Sequence, residues 1–166
     1  MLRTLVLVLL GLLLTCCTPA PTESLFPTAA TVRIVGAPTA DGLQVGPGGH
    51  VSADAVSPDL SRDVAVPVKD GGLLTPREMA ALRAAVQFTR PPDMMLACCE
   101  PRHAFLFYDK SGRYLGFLMV CFECGCAVME PFHPADEEHS WIAWNPEAVK
   151  AIVVAHQLAP LVPPRS

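Results

Sequence analysis

The strongest constraint on the fold is a pair of apolar segments, residues 103–109 and 113–121, that flank the sequence Lys110-Ser111-Gly112. Both segments are rich in aromatic and aliphatic residues, and aromatic residues are typical of strands. Gly112 can adopt positive φ, as tight hairpin turns require. The pattern predicts a β-hairpin. Because both of its faces are largely apolar, we expect both to be covered by other parts of the chain.

The turn also predicts a register for the hairpin, with Asp109 opposite Arg113. Side chains of facing residues then lie on the same face of the sheet. The predicted pairs are Phe107 with Leu115, Phe105 with Phe117, and His103 with Met119. Extending the same register places Cys98 close to Cys124.

Two helices are predicted on either side of this hairpin. Thr75-Pro76-Arg77-Glu78 is a capping box with proline at the first helical position, and Pro91 predicts an end near Arg90. Asn145-Pro146 predicts the start of the second helix. Residues 126–129 are predicted to form a third strand, and residues 141–144 a short buried strand or turn.

The sequence therefore predicts an α+β domain over residues 73–166. Its antiparallel hairpin sheet has two to three strands and is flanked by two helices. A core of this size is marginal unless something staples it.

The preceding segment, residues 18–72, is rich in proline, alanine and glycine, and predicts a disordered linker. It contains two short β-branched runs, residues 31–35 and 64–68, each of which could form an edge strand. Pro67 would confine the second run to an edge.

Residues 1–17 have the pattern of an export signal. Arg3 precedes an apolar run over residues 5–14, too short for a bilayer span of about 20 residues. Leu14, Thr15, Cys16 and Cys17 follow. This segment resembles the lipobox of bacterial lipoproteins, which implies cleavage before a cysteine that is then lipidated.

Cys17 is favoured as the lipidated residue. The family prefers a small residue before the acceptor, and Cys16 is closer to that than Thr15 is. Cys16 is the alternative acceptor, and an ordinary secretory peptide cleaved near Ala20 is a further one. No aspartate follows either cysteine. The resemblance therefore implies a cell-envelope protein held in the outer membrane by its lipid and facing the periplasm or the cell surface.

A cysteine–histidine cluster is the main functional signal. The hairpin is expected to gather four candidate metal ligands at one end, and two further thiols lie beside them. The candidate ligands are Cys98, His103, Cys121 and Cys124, and the additional thiols are Cys99 and Cys126.

The segments Cys98-x-x-Pro101-Arg102-His103 and Cys121-Phe122-Glu123-Cys124, with the aromatic hairpin between them, resemble an uncharacterised bacterial family with the pattern C-x-x-P-R-H … C-F-E-C. Here Cys99 stands where that family often has an aromatic residue, and Cys126 is an additional departure. The resemblance covers about residues 98–124 and implies no particular activity.

Three kinds of site fit this cluster. The four candidate ligands could bind zinc or a similar soft metal tetrahedrally. The cysteines could instead form structural disulfides, the default in an exported domain, with Cys98–Cys124 as the obvious bridge. Finally, Cys121-x-x-Cys124 could be a redox pair. Attachment of a c-type haem requires histidine after the second cysteine, where this chain has Gly125.

Composition and motifs narrow the functional class. The net charge of −4 argues against a nucleic-acid partner, because phosphate binding needs a basic surface. The sequence has no nucleophile elbow, phosphate loop, dinucleotide fingerprint or helical metalloprotease motif, which favours a non-enzyme. The leading hypothesis is a lipid-anchored binding or structural module with a zinc or disulfide site. The rival is an envelope thiol–disulfide redox or metal-handling protein. The sequence identifies no protein or small-molecule partner.

Overall fold

The computed structural model describes residues 25–37, 42–56, 63–65, 67–92, 99–132 and 140–158. Three of the cysteines named as candidate lipidation or metal sites lie outside these ranges: Cys16, Cys17 and Cys98. In chain order the strands are β1 (Thr31–Gly36), β2 (Gly42–Val45), β3 (Val51–Val56), β4 (Asp63–Ala65), β5 (Lys69–Leu73), β6 (Val86–Thr89), β7 (His103–Tyr108), β8 (Tyr114–Val120), β9 (Ala127–Glu130) and β10 (Trp141–Trp144). The helices are α1 (Pro76–Ala85) and α2 (Pro146–Ala155).

The centre of the fold is a five-stranded antiparallel sheet with the order β5-β1-β7-β8-β9. The predicted α+β class, two helices and antiparallel hairpin are confirmed, and β9 is the predicted third strand. The predicted two to three strands understate the sheet, because β1 and β5 extend it on the other side of β7. Two smaller sheets, β6–β10 and β2–β3–β4, accompany it.

The predicted hairpin register is correct at the turn and wrong beyond it. Tyr108 pairs with Tyr114, but a bulge follows, and Phe107 pairs with Gly116 rather than Leu115. Gly116 has φ +152°, and a Cβ there would collide with the carbonyl oxygen of Glu130 in β9. The close approach of β9 is therefore compatible only with glycine at this position. A bulge of one residue moves the following side chains to the opposite face.

The bulge decides which residues of the hairpin pack together. Phe105 and Phe107 share a core with Leu118 and Val120, on the face that α1 and α2 cover. The opposite face carries a second core formed by residues of the central sheet and of β2 and β3: Val35, Ala37, Leu43, Ala53, Ala104, Leu106, Phe117 and Met119. The expectation that both faces are covered is confirmed.

The helices begin where the sequence predicts, and α1 ends earlier. The Thr75 side chain accepts a hydrogen bond from the Glu78 N–H, and the Glu78 carboxylate accepts one from the Thr75 N–H. The Asn145 side chain caps α2. The first helix ends at Ala85 rather than near Arg90, because residues 86–89 form β6 and pair with β10.

The segment predicted to be a linker contributes to the core through its described residues, which corrects the expectation of disorder for those residues. Val32 and Ile34 are fully buried, and β1 lies between β5 and β7 instead of at an edge. Strand β1 is buried by pairing with β7, which is distant in sequence. Local composition does not reveal such a contact, so composition alone predicts disorder here.

The start of the described chain is also held in place. Leu25 is buried, and Phe26 stacks on Phe107 with ring centroids 4.2 Å apart. The Arg83 guanidinium of α1 donates hydrogen bonds to the carbonyl oxygens of Leu25, Phe26 and Ala29 at 3.4, 3.3 and 3.0 Å. The ordered fold thus already includes residue 25. Among the described residues, no helix is long and apolar enough to span a bilayer.

Candidate functional site

The candidate site is the loop that follows β8, from Cys121 to Cys126. The Cys121 N–H donates to the Cys126 carbonyl oxygen, and the Gly125 N–H donates to the Cys121 carbonyl oxygen, both at 2.9 Å. Gly125 has φ +69°, a conformation that glycine adopts without strain. These bonds close the loop on itself and bring its three cysteines together.

The sulfur atoms of Cys121, Cys124 and Cys126 all lie within 4.8 Å of one another. Cys124 Sγ is 2.7 Å from Cys121 Sγ and 3.5 Å from Cys126 Sγ. The described chain therefore contains a three-cysteine cluster that is compatible with a metal site or a disulfide site.

One member of the cluster is already bonded to a fourth cysteine. Cys126 forms a disulfide with Cys99, whose Cα lies 5.8 Å from its own. Cys121 and Cys124 are thiols. The disulfide is thus not the expected Cys98–Cys124 bridge, and the two cysteines that the sequence treats as additional are the ones that form it.

Burial controls the chemistry of Cys121. Its side chain is buried, whereas that of Cys124 is partly exposed. Burial, together with the hydrogen bond between the Cys121 and Cys124 thiols, raises the pKa of Cys121, although the main-chain N–H groups of Cys124 and Glu123 oppose this shift by donating to its sulfur. Cys121 is therefore a poor nucleophile, and the redox interpretation has to start at Cys124.

His103 lies beside the loop but is not part of the three-cysteine group. His103 is buried at the start of β7, opposite Gly36 of β1 and Val120 of β8. Its ring lies edge-on to Phe122, with centroids 5.4 Å apart. Within the described part of the chain, the group of candidate ligands that approach to metal-binding distance consists of Cys121, Cys124 and Cys126, and does not include His103.

Side chains around the loop hold it against the domain. The Trp144 indole N–H of β10 donates to the Gly125 carbonyl oxygen at 2.9 Å, and the Trp144 ring contacts Phe122. Arg102 forms an ion pair with Glu123 at 3.6 Å. A cavity of about 10 Å³, which is room for one water, lies behind the loop. Its lining residues are Glu100, Arg102, His103, Cys121, Phe122 and Glu123.

The three sulfurs can be tested against the geometry of zinc. Zinc–sulfur bonds of about 2.3 Å at tetrahedral angles place ligand sulfurs about 3.8 Å apart. The Cys124–Cys126 distance of 3.5 Å is close to this value. The Cys121–Cys124 distance of 2.7 Å lies between that value and the disulfide bond length of about 2.05 Å. Small side-chain movements therefore separate a metal site from a second disulfide, and three reduced cysteines are a donor set that fits a soft metal.

Sequence reasoning identified part of this arrangement. The spacing Cys121-x-x-Cys124 correctly placed two thiols beside each other at the exit of β8. The sequence prediction treated Cys126 only as an extra thiol, although the motif Cys124-Gly125-Cys126 was a usable signal. Cys98, the fourth ligand proposed from the sequence, lies outside the described residues.

Comparisons with protein-family models, curated protein sequences and solved structures found no match to this chain. Its function is therefore argued from the site itself.

Proposed function

We propose that the protein is a lipid-anchored module of the bacterial cell envelope, with a binding or structural role centred on its cysteine cluster. The observation that carries the proposal is the convergence of the Cys121, Cys124 and Cys126 sulfurs within 4.8 Å, next to the Cys99–Cys126 disulfide. Such a centre staples a small domain, either by covalent bonds or through a metal.

The surroundings of the cluster favour a binding or structural role over catalysis. Cys121 is buried, and burial raises the pKa of its thiol. Phe122 packs between His103 and Trp144, which keeps the imidazole in the core. A catalytic thiol needs a low pKa and an adjacent base, and this arrangement opposes both at Cys121.

Zinc is the metal we propose for the reduced cluster. Thiolate ligands select zinc and similar soft cations. The main-chain N–H groups of Glu123 and Cys124 that donate to Cys121 Sγ favour the thiolate form that a metal needs. If zinc is bound, it would fix the loop and cross-link β8 to β9.

Thiol–disulfide exchange is a second candidate function, and one specific observation favours it. The Cys124 sulfur lies 3.5 Å from Cys126, which is half of a disulfide. Attack of a Cys124 thiolate on the Cys126 sulfur would form a Cys124–Cys126 bond and release Cys99 as a thiolate. This role requires Cys124 to react rapidly in the folded protein.

Mass spectrometry and metal analysis on one sample test the proposed centre. The full chain is purified from the envelope and its intact mass is measured before and after alkylation under denaturing conditions. A fragment starting at Leu73 is unsuitable, because it lacks β1. We expect a metal ion or a pair of non-alkylated cysteines. Protein that contains no bound metal and no disulfide would overturn the proposal.

The membrane anchor is tested separately by metabolic labelling with a clickable fatty acid. We expect Cys17→Ala to abolish labelling. The matched variant Cys16→Ala should retain it. Retention of label by both single variants, or absence of label from the unmodified chain, would contradict lipidation at Cys17.

A further inference from the structure

Cys126 belongs to two arrangements that exclude each other, the disulfide with Cys99 and the cluster with Cys121 and Cys124. We propose that the disulfide is the gate of a four-cysteine metal site. In the oxidised protein the disulfide withholds two ligands. In the reduced protein Cys99, Cys121, Cys124 and Cys126 together bind one soft divalent cation such as Zn²⁺. This inference rests on the proposed function and assigns its ligands and its regulation.

The structure already brings all four sulfurs together. Three lie within 4.8 Å of one another, and the Cys99 sulfur is bonded to one of these three. Conversion to a tetrahedral site requires the two disulfide sulfurs to separate from about 2.05 Å to about 3.8 Å. Side-chain rotation at Cys99 and Cys126 provides a movement of this size. The main-chain bonds between Cys121 and Cys126 need not break.

In the oxidised protein, half of the proposed ligand set is withheld in the disulfide. Two thiols remain, at Cys121 and Cys124. Structural zinc sites have four protein ligands, and zinc binds thiolates rather than disulfides. Breaking the Cys99–Cys126 bond therefore doubles the number of ligands from two to four.

The disulfide is accessible to a reductant. Cys99 is exposed and Cys126 is partly exposed. Cys121 is the buried member of the four. The site thus has an inner ligand held by the fold and an outer bond that reagents in solution can reach.

The reduction uses an external dithiol, and its atoms and electrons balance. One thiolate of the dithiol attacks a sulfur of the Cys99–Cys126 bond, and the other cysteine leaves as a thiolate. The second thiol of the reagent then releases the remaining cysteine and closes the reagent's own disulfide. Two electrons and two protons pass to the protein. Binding of Zn²⁺ to the four thiols releases four protons.

This ligand set differs from Cys98, His103, Cys121 and Cys124, which the sequence favours. His103 packs against the backbone of Gly36, where an added Cβ would lie 3.1 Å from the imidazole. Its ring also lies edge-on to Phe122, in the core behind the loop. The two sets share Cys121 and Cys124, so variants at the other four positions distinguish them.

Co²⁺ and Zn²⁺ titrations of the full chain test the proposal. The protein is prepared oxidised, or reduced by a dithiol that is then removed without oxygen. Thiolate-to-cobalt absorption and competition with a chromogenic chelator report binding. We expect the reduced protein to bind one equivalent, and the oxidised protein to bind more than about 100-fold more weakly, since second-sphere changes alone cost about 10–100-fold.

Single variants of the reduced protein identify the ligands. We expect Cys99→Ser and Cys126→Ser to weaken Zn²⁺ binding by more than about 100-fold. The controls Cys98→Ser and His103→Asn should bind as the unmodified chain does. Far-ultraviolet circular dichroism of each variant verifies that it is folded.

Two results would overturn the gate, and they differ from failure of the proposed function. Equal affinity in the oxidised and reduced states would show a metal site independent of the disulfide. Loss of binding in Cys98→Ser or His103→Asn with retention in Cys99→Ser would assign the alternative ligands. Failure of the proposed function would instead appear as protein with neither metal nor disulfide.

Discussion

The Cys124 sulfur lies 3.5 Å from the sulfur of Cys126, although Cys126 is already half of a disulfide. This contact joins a thiol pair to a disulfide within one short loop. Because the sulfurs are so close, a change in the redox state of one cysteine alters the ligands or bonding partners available to the others.

Loss of the disulfide should destabilise the metal-free protein. The bond joins residues 27 apart in sequence, and closing a loop of that length contributes about 3.5 kcal/mol in the chain-entropy description. Cys126→Ser should lower the unfolding free energy by about that amount under oxidising conditions, as measured by urea denaturation with a chelator present. With a reductant, the variant and the unmodified chain should agree. A difference that persists after reduction would assign the loss to packing.

Cys124 should react with alkylating reagents before Cys121 in folded, metal-free protein. Cys121 is 4% exposed, and burial raises the pKa of its thiol. Labelling of Cys121 should therefore be slow at neutral pH. It should become faster as the pH rises above about 8.5, the ordinary pKa of a cysteine thiol. Peptide mass spectrometry over a time course measures both rates. Preferential labelling of Cys121 would contradict this order and would make Cys121 the candidate nucleophile.

Gly116→Ala should destabilise the fold by about 2–4 kcal/mol, since overpacking and an unfavourable backbone conformation add. The new Cβ would collide with the Glu130 carbonyl oxygen and lie 2.7 Å from the Phe26 ring. Gly112→Ala is the matched control, because Gly112 also has positive φ but open space around it. It should cost only about 1 kcal/mol. Equal losses of unfolding free energy would show that β9 adapts to the added methyl group.

The protein should lose stability as pH falls from about 4 towards 2. A hydrogen bond from Arg33 and one from the Gly72 N–H lower the pKa of Asp70 to about 2, and hydrogen bonds from Ser111 and Arg113 do the same at Asp109. Each pKa is depressed on folding, so each carboxylate stabilises the fold above its unfolded pKa and loses this effect as it protonates. The measurement is the urea concentration at the unfolding midpoint as a function of pH. Asp70→Asn and Asp109→Asn should each reduce the fall of this midpoint between about pH 4 and pH 2. An unchanged fall would contradict the stabilising role of these two carboxylates.

Local sequence signals predicted the parts of the fold that depend on local interactions. The capping residues Thr75 and Asn145 marked the starts of both helices, and Asp109 to Gly112 marked the hairpin turn. The spacing of Cys121 and Cys124 likewise predicted a thiol pair, because a turn brings together residues that are three positions apart.

The features that were missed depend on contacts between distant residues. The bulge in β8 arises where Gly116 meets Glu130 of β9, and the early end of α1 reflects pairing of β6 with β10. Burial of β1 depends on β7, so composition alone suggested a linker there. The Cys99–Cys126 bond joins the approach to β7 with the start of β9, and no local spacing reveals that meeting.

The hydrogen bonds from Arg83 to residues 25–29 limit how far the domain can lie from a lipid attached at the N-terminus. A flexible tether ending at residue 72 would let the domain sample a deep layer of the envelope. If Cys17 carries the lipid, the chain from Cys17 to Leu25 spans at most about 30 Å when fully extended. The domain is then confined to a layer next to the bilayer surface.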